Sequence, residues 1–254
     1  MCVVHLLQAS LNPLLALTQL PPSVGGIDSS VIDELVSDGL SRKVRAVVDH
    51  GRTLSRAGEK CVIWTLFSDT AAELERSMAD LNPVSLFRSD AEEGSNGAPA
   101  VNQQSERFHD DPECSVLLAN PARIVWRADL NKLLPHAIYL DRSYSAEDYV
   151  RSLETIFPRA LSLGAEVRIH VYKSEMPVGV GSIDDSVDRR LVSKLCDAMS
   201  FGAEHCVDDR LSDGTNISTV TSHDPDRADV IDLCKELESS SESVDHIIES
   251  SAAS

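Results

Sequence analysis

The run Cys61-Val62-Ile63-Trp64-Thr65-Leu66-Phe67 constrains this chain most. It holds seven residues without a charge and does not alternate. A strand with one wet face alternates, whereas a continuous apolar run bounded by turn signals fits a strand covered on both faces. Gly58 precedes it, and Ser68 or Asp69 stands ready to cap a helix over Ala71–Leu81. Four more strand-like segments follow: Pro83–Phe87, Ser115–Ala119, Ala137–Leu140 and Glu166–Tyr172, where Val167, Ile169 and Val171 alternate. Helical patterns lie between them. Ser41 caps Arg42–Ala57, with Val44, Val47, Val48 and Leu54 on one face, and Ser145 caps a helix to about Phe157. Ser182 caps a long helix over Ile183–Met199, with Ile183, Val187, Leu191, Leu195 and Met199 near helical spacing. Strands alternating with helices predict an α/β fold: a parallel sheet with helices on both faces. Between strands, Ser89–Asn102 reads as a polar loop, and Gln103–Phe108 as a helical turn stopped by Asp110-Asp111-Pro112.

The ends read differently. Leu6–Leu20 is helical in pattern until Pro21-Pro22 and Gly25-Gly26 break it, and Asp28 or Ser29 could cap a short helix through Leu35. The apolar first twenty residues lack the basic flank of a signal peptide, since the first Lys or Arg is Arg42. No stretch of about 18 apolar residues suggests a membrane span, so a cytoplasmic protein is expected. From His205 to Ser254 the chain holds twelve acidic and three basic residues, half of the whole −18 charge. Seven serines crowd the last seventeen positions. That composition predicts a solvated, disordered tail with at most a short helix at Val230–Leu237. The expected division is therefore a helical N-terminal extension (1–57), an α/β lobe (58–203) and an acidic Ser-rich tail (204–254).

Charge and cysteines remove several functions. A net charge of −18 with 4% aromatic residues opposes stand-alone nucleic-acid binding, which neutralises phosphates and stacks bases. The six cysteines never stand at CxxC spacing, which predicts reduced thiols. His205-Cys206 is the nearest approach to a metal pair, and adjacent ligands chelate poorly without two more, so no metal is expected.

Six short motifs occur in order: Leu6-Leu7-Gln8-Ala9-Ser10-Leu11-Asn12-Pro13, Lys60–Thr65, Glu106-Arg107-Phe108-His109-Asp110-Asp111-Pro112, Leu117-Leu118-Ala119-Asn120-Pro121, His136–Arg142 and Ser182–Leu191. Over roughly residues 1–200 this order resembles the second, C-terminal RecA-like lobe of a bacterial Swi/Snf-type superfamily-two helicase. The resemblance implies a RecA-like, P-loop-NTPase-type sheet. It also implies one half of a DNA-dependent ATPase whose first lobe carries the Walker A loop and the Asp-Glu box. This chain holds no GxxxxGK[ST]. Its nearest candidate, Ala57-Gly58-Glu59-Lys60-Cys61, lacks the first glycine and the hydroxyl that would meet magnesium.

The resemblance further implies a glycine loop and two arginine fingers in the second lobe. Val125, Trp126 and Arg127 stand where the family pattern has Gly-Glu-Gly, and a β-branched Val cannot readily take the backbone geometry glycine permits. The gapless match of the finger motif places Arg151 at its Gln, Glu154 at its Asp, Thr155 at its first Arg, Pro158 at its second Arg and Ala160 at its Gly. Arg159 falls one residue late, about 100° around the helix, and is kept only as a residual nucleotide or phosphate contact. Pro158 is expected to end the helix early. An arginine finger is worth about 10³–10⁵ in rate, which no neighbour replaces.

These substitutions point to a lobe that keeps its scaffold without an ATPase centre: a pseudoenzyme acting as a binding or scaffold module, with no catalytic residue and no cofactor of its own. ATP and Mg would belong to it only if a first lobe completed the site. The expected partners are a first-lobe ATPase protein or a DNA-processing complex, with weak or no direct nucleic-acid binding and no membrane. The alternative is the second-lobe subunit of a split Swi/Snf-type ATPase with a separately encoded first lobe.

Overall fold

The computed structural model describes residues 3–13, 30, 33, 39–87, 98–123, 135–163, 166–176, 180–200 and 225–237. The chain divides into two compact units: residues 1–142 with 149–174, and residues 143–148 with 175–254.

In the first unit the continuous apolar run supplies β1 (Cys61–Trp64), buried at all four residues. It is the middle strand of a five-stranded, all-parallel sheet with β2 (Val84–Ser85), β3 (Val116–Ala119), β4 (His136–Tyr139) and β5 (Arg168–Val171). The order is β2-β3-β1-β4-β5, with Cys61 opposite Val116 on one side and His136 on the other. The α/β class expected from the sequence, a parallel sheet with helices on both faces, is thus what the chain adopts. Strands are shorter than their apolar runs. β1 ends at Trp64: the Thr65 amide still donates to the Ala119 carbonyl, but the Leu66 amide turns to the Asp141 carboxylate.

Helices cover both faces, as apolar parallel strands require. On one face lie α1 (Val3–Leu11), α2 (Arg42–Arg56) and α3 (Ser68–Ser77). Leu11, Val44, Val47, Val48, Leu54 and Leu74 pack there on Cys61, Ile63, Val116, Leu118 and Ile138. Residues 1–57 therefore contribute directly to the core. Ser41 caps α2 as its sequence suggests, accepting from the Val44 amide, while α3 starts at Ser68 with no side-chain cap. The opposite face carries α4 (Ala98–Asp110) and α5 (Ala146–Leu163). Phe108, Tyr149, Leu153 and Ile156 meet Val62, Trp64, Leu117, Ala119, Ala137 and Tyr139 there, and the Trp64 and Tyr139 rings stack with centroids 6.2 Å apart. This distribution follows from right-handed crossovers: β1 connects toward β2, whereas β2 and β4 connect the other way.

Two expectations are corrected. The polar loop ending at Asn102 is shorter than expected, because α4 begins at Ala98, with Pro99 in the first turn where a missing N–H costs nothing. The helix after Ser145 continues through Pro158 to Leu163. Proline removes one backbone bond, and the turns on either side carry the helix across it. The Ser145 cap itself forms, its hydroxyl accepting from the Asp148 amide at 3.1 Å. The pattern over Leu6–Leu20 gives helix to Leu11. Residues 14–20 and all but Ser30 and Asp33 of the second N-terminal helix lie outside the described residues.

The second unit contains α6 (Ile183–Ser200) and α7 (227–237). Ile183, Val187 and Leu191 are buried as the spacing predicts. The helix expected at Val230–Leu237 is present and begins three residues earlier. It turns Asp229, Asp232, Leu233 and Glu236 inward. Among the described residues no helix is long and apolar enough to cross a membrane.

Candidate functional site

An open parallel sheet binds ligands at the carboxyl ends of neighbouring strands whose connections leave toward opposite faces. Here that place lies at β1, flanked by β3 and β4. Each of the three strands sends one polar residue into it. Asp141, just after β4, is 2% exposed and accepts from the Thr65 hydroxyl at 2.6 Å and from the Leu66 amide at 2.8 Å. Asn120, just after β3, donates its amide to the Leu66 carbonyl at 3.1 Å, and its carbonyl accepts from the Ala122 amide at 2.9 Å. Thr65 is fully buried and Asn120 6% exposed. Thr65 and Asp141 bond each other, Asp141 and Asn120 both bond the Leu66 backbone, and together they knit the three strand ends. The Arg142 guanidinium lies over the Tyr149 ring, 5.7 Å from its centroid.

The phosphate-loop candidate resolves into something else. Gly58 takes a φ of +74° just past the C-cap of α2, a left-handed geometry that favours glycine. Lys60 precedes β1, at the amino end of the sheet, whereas a phosphate loop follows a strand. Its ammonium donates to the carbonyls of Phe108 and Asp111, the latter at 2.8 Å, and sits 5.1 Å from the Phe108 ring centroid. It closes the carboxyl end of α4, where orphan carbonyls attract a cation. Lys60→Met is therefore expected to cost about 1–2 kcal/mol of stability in thermal unfolding, with no change in nucleotide affinity. A loss of nucleotide binding at unchanged stability would return Lys60 to the phosphate-ligand role.

Of the residues placed by resemblance, Arg151, Glu154 and Thr155 stand on α5. Glu154 is exposed, and the Thr155 hydroxyl donates to the Arg151 carbonyl one turn back at 2.8 Å. Pro158 and Arg159 belong to the same helix, their side chains outside the described residues. Val125, Trp126 and Arg127 also lie outside them, as do His205 and Cys206. The structure adds a residue group that the motifs did not mark as a unit: Thr65, Asn120 and Asp141 each sit inside a quoted motif, but only the strand order brings them together. Among the described residues Cys61, Cys114, Cys196 and Cys234 form no disulfide, and burial pushes Cys61 up to about 12.

No family model matches the chain, and no curated protein matches it. Among solved structures it is similar to the crystal structure of the C-terminal part of the Fun30 ATPase domain. That likeness has 16% identity and a TM-score of 0.49, and it covers 74% of this chain and 70% of that one.

Proposed function

We propose that this chain is a cytoplasmic helicase C-terminal-like lobe without an ATPase centre of its own, acting as a binding or scaffold module for a first-lobe ATPase protein or a DNA-processing complex. One observation carries the reading. The carboxyl-edge switch point, where a nucleotide-handling lobe needs open donors and cations, is occupied by the chain's own Thr65, Asn120 and Asp141, each bonded inward. A carboxylate at that position repels phosphate rather than stabilising it. The lysine nearest a phosphate loop in sequence is committed to α4 at the other edge. Thr155, where the resembling family carries a finger, is neutral and bonded to its own helix. Free thiols agree with a reducing compartment.

The test is ATP turnover and nucleotide binding by the purified chain, alone, with DNA, and with a first-lobe ATPase protein added. Turnover is expected to stay at the buffer rate when the chain is alone or with DNA, and the first-lobe protein should bind without its own rate depending on any arginine of this chain. Turnover that requires both proteins and disappears in Arg159→Ala would overturn the proposal in favour of a split ATPase.

A further inference from the structure

Away from that edge, on the α2 face of β4 and β5, three histidines form one cluster. His136 opens β4 and is 2% exposed. Its Nε2 lies 2.8 Å from Glu59 Oε2, and its Nδ1 lies 3.0 Å from His170 Nε2 on β5. A carboxylate only accepts, so His136 donates to Glu59 from Nε2, and a single proton lies between its Nδ1 and His170 Nε2. The His50 ring of α2 meets the His170 ring edge-on at 4.5 Å between centroids, and His50 Nδ1 bonds the Tyr172 hydroxyl at 2.8 Å. Among the described residues no three such side chains converge on a metal position.

The cluster matters because of what it holds. β5 is an edge strand, with β4 on one side only. On the α5 face its Ile169 and Val171 are each 37% exposed, so that face anchors it weakly. On the α2 face its side chains are Arg168, exposed and paired with Glu166, His170, tied to His136, and the following Tyr172, tied to His50. β1, β3 and β4 are buried throughout and owe nothing to titratable anchors of this kind except at His136 itself. We propose that the His50–His136–His170 cluster is a proton-operated latch that holds edge strand β5 to the sheet at neutral pH and releases it on acidification.

The groups facing the cluster set the sign. Glu59 comes from the turn before β1, His136 from β4, Arg168 and Tyr172 from β5 and its end, and His50 from α2. Cys61, opposite His136 in the ladder, remains an uncharged thiol. Burial holds His50 below the ordinary histidine value, with His136 adding to it. Burial also lowers His170, assisted by His50, His136 and Arg168. Both therefore favour the neutral form in the fold. The unfolded or opened strand binds more protons, so latch stability is full above about pH 6.5 and is lost as pH falls from there through the lowered values.

Amide exchange of the full chain, corrected for intrinsic rates, tests this. The Arg168 and Tyr172 amides donate to Pro135 and Tyr139, and the Leu140 amide donating to Trp64 serves as the core reference. One linked proton changes an opening equilibrium by at most about tenfold per pH unit. Protection of Arg168 and Tyr172 should fall about tenfold relative to Leu140 between about pH 6.5 and 5.5. The double variant His50→Gln/His170→Gln should lose that dependence. Histidine titration of the unaltered chain by NMR gives a second reading, with both His50 and His170 expected below about 6.5. Protection of β5 that tracks Leu140, a pH dependence surviving the double substitution, or titration of either histidine at or above the ordinary value would overturn the latch.

Discussion

Asp141→Ala is expected to lower the stability of the sheet-containing unit by about 3–5 kcal/mol, read as a fall in the urea midpoint of the far-ultraviolet signal. The carboxylate is 2% exposed and takes two hydrogen bonds from the end of β1. Removing it leaves the half-buried Leu66 amide and the fully buried Thr65 hydroxyl without their acceptor, and an orphaned buried group costs about 1–3 kcal/mol. Asp141→Asn should cost less, about 1–2 kcal/mol, because one oxygen remains for the Leu66 amide and the Thr65 hydroxyl can rotate to accept from the new amide. The ordering of the two variants is the informative part. If Asp141→Ala cost under about 1 kcal/mol, the carboxylate would be a spare acid at the sheet's binding edge. The proposal of a lobe sealed by its own side chains would then fail.

The sheet was legible because its signal is one of burial. β1 and β3 are apolar without a break and β4 is so after His136, and the helices before and after them carry their apolar residues at helical spacing. The strand order was not legible, and it alone makes a unit of Thr65, Asn120 and Asp141, which lie 21 to 76 residues apart in the chain. The histidine cluster was hidden for the same reason: His50, His136 and His170 sit on three elements, and only the pairing of β4 with β5 brings the last two together. Proline punctuation misled twice. Pro99 sits inside the first turn of α4, and Pro158 inside α5, positions where the surrounding turns hold the helix despite the missing donor. Lys60 looked like the remnant of a phosphate loop because a glycine close before a lysine occurs both there, where the two adjoin, and at a helix exit followed by a capping cation, where Glu59 separates them here. Only its position before β1 distinguishes them.

α7 shows where reading by hydrophobicity finds a helix but not the face it buries. Its apolar residues Val230, Ile231 and Leu237 are about 40% exposed, and the side facing the rest of its unit is made of Asp229, Asp232, Leu233 and Glu236. The stripe at i, i+3, i+4 and i+7 is present, but three of its four members are carboxylates. A pattern search keyed to apolar residues places a helix at Val230–Leu237 but misses the side it turns inward. What fixes the helix is the complementary row on α6. Arg190 and Lys194 both reach Asp229, at 2.8 and 2.7 Å, and Arg189 reaches Asp232 at 3.0 Å and Glu236 at 2.8 Å. Ser186 joins this row, donating to Asp232 at 2.7 Å and accepting from the Tyr144 hydroxyl at 2.9 Å.

The second large effect follows from that inverted helix. Asp229→Ala is expected to detach α7 from α6, at a cost of about 2–3 kcal/mol to the second unit, with the first unit's urea midpoint unchanged. Asp229 has no exposed surface and accepts from Arg190, Lys194 and the Asp226 amide. Removing it leaves the two cations with only the more exposed Asp226 as a shared carboxylate, Lys194 at 3.1 Å and Arg190 at 3.7 Å. The cost falls short of the full value for a broken buried pair, because Arg190 and Lys194 are each about one-fifth exposed and can regain water. Glu236→Gln, by contrast, should cost under about 1 kcal/mol, since its partner Arg189 is half exposed. Acid should act on the same contacts. Asp226 is held below the usual carboxylate range, first by the Asp229 amide and then by Lys194. Asp232 is pushed up by burial but held down overall by Ser186 and Arg189. A lowered carboxylate contributes stability above its ordinary value and loses it as pH falls through the lowered one, so α7 should stay docked to about pH 4 and come away below it. Exchange protection of the α7 amides reads both effects. If Asp229→Ala and Glu236→Gln loosened α7 equally, buried carboxylate bonding would not be what holds the helix, and its exposed apolar side would have to be engaged instead.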